Sequence, residues 1–105
     1  MAKYLVEASY TEAGLKGIVK SGGTARKKAL QQLAKSLGGK LESFYFGFGD
    51  SDVYVVLDLP GNVEAAATAL VVNASGAVKA KTTVLLTPED VDAAAKTTVD
   101  YRPPK

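Results

Sequence analysis

The sequence predicts a single domain of the α+β class over residues 1–105, with elements in the order βαββαβ and one more helix at the end. Two observations predict it. A chain of 105 residues with 47% apolar and 23% charged side chains has the size and composition of one globular domain. Stretches with the two-residue period of strands also alternate with stretches of helical spacing, and glycine or proline turns separate them.

The first strand is predicted over residues 3–10, because alternate positions carry apolar or aromatic residues: Tyr4, Val6, Ala8 and Tyr10. The next stretch, residues 11–20, has apolar side chains at helical spacing but contains Gly14 and Gly17. Each glycine costs a helix about 1 kcal/mol relative to alanine. We therefore expect a short and weak first helix.

A stronger helix is predicted after the break at Ser21-Gly22-Gly23. Thr24 is placed to cap it. Its apolar stripe consists of Ala29, Leu30, Leu33 and Leu37. Gly38-Gly39 can adopt the left-handed conformation that commonly ends helices, so the helix is expected to stop there.

Strands two and three are predicted to form a hairpin. Strand two, residues 40–48, is rich in aromatic side chains, and Gly49-Asp50-Ser51 has the composition of a turn. Strand three, residues 52–59, carries apolar or aromatic side chains at consecutive positions from Val53 to Leu57. Both faces of this strand are therefore expected to be covered.

A second crossover helix is predicted from Asn62, as its N-cap, to Ala74, with Glu64 in the first turn, where a negative charge favours the helix dipole. Gly76 is expected to close it. Strand four follows over residues 78–86 and becomes wholly apolar at its end.

The final helix is predicted over residues 88–96 by three agreeing signals. Thr87 is placed as N-cap, Pro88 as the first helical residue, and acids follow in the first turn. The polar tail, residues 97–105, is expected to lie across a neighbour or to be disordered.

The order βαββαβ is that of the split βαβ, ferredoxin-like motif, whose four-stranded antiparallel sheet carries both crossover helices on one face. Because strands two, three and four have apolar or aromatic residues on both faces, we expect the other face to be covered by the sheet of an identical subunit. The alternative is that the last helix folds back over this face and the protein stays monomeric.

Composition excludes several classes of function. A formal charge of +2 indicates neither a nucleic-acid nor a membrane partner. There is no cysteine and no histidine, which removes thiolate chemistry, imidazole acid–base chemistry and the usual ligands of zinc and haem. No cofactor and no transition metal is expected, and any bound metal should be a hard ion such as Mg²⁺ or Ca²⁺. Without a membrane-length apolar run or a signal sequence, the expected location is the cytoplasm.

Several segments together resemble the GYD-domain family. They are Gly38-Gly39-Lys40-Leu41, Phe44-Tyr45, Gly49-Asp50-Ser51-Asp52-Val53, Leu59-Pro60, Lys81-Thr82-Thr83, Pro88-Glu89-Asp90-Val91-Asp92 and Tyr101-Arg102-Pro103-Pro104. The resemblance implies a ferredoxin-like fold of the dimeric α+β barrel kind, and no established activity. The chain has Ser51 where the tyrosine of the namesake motif is expected, so no role of that tyrosine carries over.

Two groups of polar residues are candidate ligand sites. Asp50 and Asp52 flank the hairpin and could hold a hard cation or act as an acid–base pair; alternatively they make local turn hydrogen bonds. Arg26 follows a glycine-rich helix entry, an arrangement suited to an anion, although Arg26, Lys27 and Lys28 could equally be solvated surface cations.

Strand residues supply the remaining candidates. Tyr4, Tyr10, Tyr45 and Tyr54 could line a pocket for a small organic molecule, or could belong to the core. Glu7 would suit proton transfer if it faced a cavity, because desolvation raises the pKa of a carboxyl, but it has no special chemistry if it reaches solvent or a lysine. Glu7, Asp52 and Tyr45 are thus the candidate catalytic residues.

Three functions follow from these candidates. The leading hypothesis is a homo-oligomeric protein that binds a small organic molecule. A second is a cofactor-independent isomerase, lyase or monooxygenase of the dimeric α+β barrel type, and a third is a structural assembly subunit.

Overall fold

The computed structural model describes residues 1–104, so Lys105, the last residue of the predicted polar tail, lies outside the described residues. The elements within that range are β1 (Ala2–Tyr10), α1 (Glu12–Ser21), α2 (Gly23–Ser36), β2 (Lys40–Phe46), β3 (Val53–Leu59), α3 (Asn62–Ala74), β4 (Val78–Leu85) and α4 (Pro88–Ala95).

The strands form one antiparallel sheet in the order β2-β3-β1-β4. β1 is central, so that Leu5 pairs with Val56 on one side and with Thr83 on the other. With the two crossovers, this is the ferredoxin-like arrangement. The α+β prediction and its element order are confirmed, and the predicted first connection is indeed split into two helices.

Two helix starts differ from the predictions. α2 begins at Gly23 without a side-chain cap, because Gly22 has φ 82° and turns the chain directly out of α1. Thr24 therefore lies inside the first turn, and its predicted capping role is wrong. α3 begins at Asn62, whose side-chain oxygen accepts a hydrogen bond of 2.7 Å from the Tyr4 hydroxyl. The predicted Asn62 cap is therefore wrong as well.

The hairpin loop is longer than the predicted turn. β2 ends at Phe46 and β3 begins at Val53. The Gly47 N–H donates to the Asp52 carbonyl at 2.8 Å and closes the loop.

The end of α2 agrees with the prediction that Gly38 takes the left-handed conformation after the helix, since Gly38 has φ 79°.

The core lies between the sheet and the helices α2 and α3, on one face of the sheet. Its largest fully buried side chains are Tyr4, Leu57 and Leu59. Val55 also belongs to this core, with 3% of its surface exposed. A charge at Val55 would therefore disrupt the core and would not report on the opposite face of the sheet.

The opposite face, here called the open face, is less apolar than predicted. Its centre holds the paired residues Leu5 and Val56. Lys3 pairs with Glu42 at 2.8 Å toward one end. On β4 the open face carries mainly polar residues, Lys79, Lys81 and Thr83, with Leu85 at the strand end. The prediction that strand four is apolar on both faces is therefore wrong.

The segment after β4, here called the C-terminal arm (residues 86–104), projects from the rest of the chain. Thr87 and Asp90 form the capping box of α4, in agreement with the predicted cap. Every residue from Pro88 to Pro104 is exposed, so α4 does not fold back over the open face. The radius of gyration is 16.5 Å, against about 13 Å for a compact domain of this length. Within residues 1–104, no helix has the length and apolar character needed to cross a membrane.

Candidate functional site

The structure separates the candidate residues into two groups on opposite sides of the sheet. Glu7, Tyr45 and Tyr54 lie on the open face. Arg26 lies on the helical side, and Asp52 lies at the end of the hairpin loop, near the start of α1. The two groups therefore do not form one site.

The open-face candidates lie in one row across the sheet. Tyr45 pairs with Tyr54, which pairs with Glu7, which pairs with Lys81. The Glu7 carboxylate lies 3.4 Å from the Lys81 ammonium, so Glu7 reaches a lysine. Tyr45 is 71% exposed. This row is therefore an exposed surface in the single chain.

Asp50 lies beside that row, in a shallow depression of about 320 Å³. The depression is lined by Glu7, Ser9, Asp50, Ser51, Lys79, Ala80 and Lys81. Asp50 and Asp52 do not share this depression, because Asp52 lines a different cavity. Within residues 1–104, no cluster of three or more metal-ligating side chains occurs.

A second concave feature lies on the helical side and is here called the α1–α2 cleft. It consists of two adjoining cavities of about 290 and 520 Å³ that share Tyr10 and Ile18. The first is lined by Tyr10, Gly14, Gly17, Ile18, Ser21, Gly22, Ala25, Arg26 and Ala29. The second is lined by Tyr10, Leu15, Ile18, Gly23, Phe46, Gly47, Phe48 and Asp52.

The position of α1 is fixed by contacts with the turn before β4. The Thr11 N–H donates to the Ala77 carbonyl at 3.0 Å, and the Thr11 hydroxyl donates to the Gly76 carbonyl at 2.9 Å. Gly14 approaches the same turn so closely that an added Cβ would lie 2.1 Å from the Ala77 oxygen. A side chain at Gly14 would therefore push α1 away and change the cleft.

Phe46 forms an aromatic wall of the second cavity. An added Cβ at Gly23 would lie 2.8 Å from the Phe46 ring, so the lack of a side chain there allows the ring to pack against the start of α2. Phe44 meets Phe46 edge to face, with ring centroids 5.1 Å apart. The ring is thus held from two sides.

Arg26 is the cation of the first cavity. Its guanidinium carbon lies 5.9 Å from the centroid of the Tyr10 ring, within the range of a cation–π contact. The Arg26 Nε is buried and has no hydrogen-bond partner among residues 1–104. A buried donor without a partner costs free energy, so residues 1–104 leave part of the hydrogen-bonding capacity of this guanidinium unused.

Asp52 has a structural partner. Its Oδ2 accepts a hydrogen bond of 2.9 Å from the Tyr10 backbone N–H, and its own N–H donates to the Ala8 carbonyl at 2.8 Å. The carboxylate thereby joins the hairpin loop to the end of β1. It also holds the backbone of Tyr10, a residue that lines both cavities.

A second charged cluster lies on the open face near the start of β1. Hydrogen bonding to Glu42 raises the pKa of Lys3; desolvation opposes this rise, and the nearby Asp58 carboxylate adds to it. Asp58 is buried, and its Oδ2 lies 3.9 Å from the Lys3 ammonium. This cluster contributes an ion network to the open face.

The sequence identified Arg26 as a candidate and Tyr10 as a strand residue that could line a pocket, and Tyr10 lines both cavities. Ile18 and Phe46 were interpreted only as members of a helix and a strand. The one available signal was the pair Gly14 and Gly17, since two glycines in a short helix suggest a close approach or an open groove.

The fold and cleft define an α+β protein of the ferredoxin-like type with an apolar cleft between its first two helices. Residues 4–95 match the model of the GYD domain, so the chain belongs to the GYD-domain family, as its sequence predicted. The function of this family is uncharacterised. A search of curated proteins and a search of solved structures each gave no match.

Proposed function

We propose that this GYD domain binds a small organic molecule in the α1–α2 cleft. The observation that carries the proposal is the cleft itself, in which apolar side chains from α1 and the hairpin adjoin a cavity containing Arg26. A concave apolar surface with a few polar groups is the usual form of a small-molecule site. The combined size is sufficient for a molecule with one ring.

The experiment that tests this proposal uses benzyl alcohol as a neutral apolar probe. Titration into ¹⁵N-labelled protein should shift backbone amide resonances of α1, the start of α2 and the hairpin loop. Leu15→Gln should weaken binding several-fold, because Leu15 lines the cleft. Val19→Gln is the matched control, since Val19 is an exposed apolar residue on the same helix that does not line the cleft.

Two results would contradict binding in the cleft. One is the absence of any amide shift in these segments at millimolar benzyl alcohol. The other is an equal loss of binding in Leu15→Gln and Val19→Gln.

We further propose that the chain forms a homodimer through the open face. Leu5 and Val56 form an apolar centre between charged ends, which is the usual anatomy of a subunit interface. The exposed C-terminal arm supports the proposal, because an isolated eight-residue helix such as α4 is marginal in water without packing. We also propose that the protein is located in the cytoplasm, as its sequence predicts.

Light scattering at micromolar concentration tests self-association. The mass should be at least twice the 10.9 kDa of the monomer. Val56→Glu should produce monomer with an unchanged far-ultraviolet circular dichroism spectrum, because an unpaired charge would be buried at the interface. Thr82→Glu, exposed on the other face of the sheet, should leave the parent mass. A monomeric parent protein would contradict the proposal.

The enzyme hypothesis receives no specific support from the candidate catalytic residues. Glu7 is ion-paired with Lys81, and Asp52 accepts the Tyr10 amide. Tyr45 projects from the exposed open face. Ligand binding therefore accounts for more of the observed geometry than acid–base catalysis does.

A further inference from the structure

We infer that the ligand of the α1–α2 cleft is a small carboxylate with an apolar body, such as an aryl or short-chain organic acid. This inference rests on the proposed function and adds the charge and chemical class of the ligand. Its basis is the asymmetry between the two cavities. One contains a cation without a partner among residues 1–104, and the other is walled by aliphatic and aromatic side chains.

The charge of the first cavity is positive. An arginine stays protonated at all physiological pH values, and Arg26 forms no ion pair with any residue in the range 1–104. The first turn of α2, which adjoins this cavity, contains no acidic residue and no side-chain cap. The positive end of the helix dipole therefore adds to the charge of Arg26.

The guanidinium is also held in place. The Arg26 guanidinium carbon lies 5.9 Å from the centroid of the Tyr10 ring, and the Asp52 carboxylate accepts a hydrogen bond from the Tyr10 backbone N–H. A guanidinium with a restricted position loses less conformational entropy when it binds an acceptor. The two terminal nitrogens of the Arg26 guanidinium, which lines the first cavity, can donate hydrogen bonds to both oxygens of a carboxylate.

The second cavity accounts for the rest of the molecule. Leu15, Ile18 and Phe46 offer aliphatic and aromatic contact but no cation. Asp52 is the one carboxylate that lines either cavity in the described chain, and it lies in this second cavity. A bound acid is therefore oriented with its carboxylate toward Arg26 and its apolar body toward Phe46, which also keeps the two negative charges apart.

The test compares benzoate with benzamide, which has nearly the same shape but no charge. Amide resonances of α1 and α2 are followed during titration of the full chain with each compound. Benzoate should bind at least about tenfold more tightly than benzamide, as expected for a charge-assisted hydrogen bond. Arg26→Gln should bring the two affinities together. Lys27→Gln, the adjacent exposed cation, should leave the ratio unchanged.

The outcomes separate the two proposals. If benzamide binds the cleft as tightly as benzoate, the proposed function stands and the inference about charge is overturned. If neither compound shifts cleft resonances, the proposed function fails and the inference fails with it. If Lys27→Gln reduces the ratio as much as Arg26→Gln does, the effect is one of surface charge and the inference is overturned. The ratio in the parent protein decides the matter even if Arg26→Gln does not fold.

Discussion

Two glycines in α1 should respond in opposite ways to the same substitution. At Gly17 an added Cβ meets no atom within 4 Å, so Gly17→Ala should gain about 1 kcal/mol of stability from helix propensity. At Gly14 the added Cβ would lie 2.1 Å from the Ala77 oxygen and 3.2 Å from the Tyr10 ring. The same propensity gain is then offset by an overpacking cost of about 1–3 kcal/mol.

Because the helix term is common to both variants, their difference isolates the close approach of α1 to Ala77. We expect Gly14→Ala to be less stable than Gly17→Ala by about 1–3 kcal/mol, or at least about 4 °C in melting temperature. Urea unfolding at one fixed protein concentration measures this difference. Equal stability of the two variants would show that α1 does not lie against this turn, and that the cleft does not have the described form.

Three further results are expected. Asp52→Ala should lower the free energy of unfolding by about 1–2 kcal/mol, because the Tyr10 N–H loses its acceptor. Asp52→Asn should lower it less, because an amide oxygen can still accept this hydrogen bond. An alanine variant that melts at or above the parent temperature would contradict this. Because the pKa of Lys3 is raised in the folded protein, its charged form stabilises the fold fully below the ordinary lysine pKa of about 10.4, and this stabilisation is lost as pH rises through the folded pKa. Urea unfolding from pH 8 to 12 should therefore show a larger decrease in the free energy of unfolding for the parent protein than for Lys3→Met. Parallel decreases in the two proteins would contradict this. Elemental analysis should find no stoichiometric zinc, copper or iron, because the chain has neither histidine nor cysteine. Any of these metals at one per chain would contradict this expectation.

The elements that depend on short-range pattern were predictable from the sequence. The alternation in β1, the turn residues of the hairpin and the Thr87–Asp90 capping box are all local signals. The predictions were wrong where a neighbour decided the outcome. Asn62 was expected to cap α3 but instead accepts the hydroxyl of Tyr4, which is 58 positions away in sequence.

The cleft could not be predicted, because it depends on distances between segments that are far apart in the chain. Phe46 becomes a cleft wall only because Gly23 lets its ring approach α2. Arg26 could be identified as a candidate from its glycine-rich entry. Its unpartnered Nε and its position over Tyr10, which distinguish it from a solvated cation, are properties of the folded chain.

Which residues lie on the open face also could not be predicted from the sequence alone. A run of apolar residues in β3 indicates that both faces of that strand are covered, but it does not specify which residue faces the helices. The register settles this, since Val55 lies in the core and Val56 pairs with Leu5 on the open face.

The most direct test of the central claim, that the α1–α2 cleft is the ligand site, is the measurement of intermolecular nuclear Overhauser effects between benzoate ring protons and assigned methyl groups. Binding in the cleft predicts contacts to the methyl groups of Leu15 and Ile18. Contacts to Leu5 and Val56 instead would place the ligand on the open face and contradict the account.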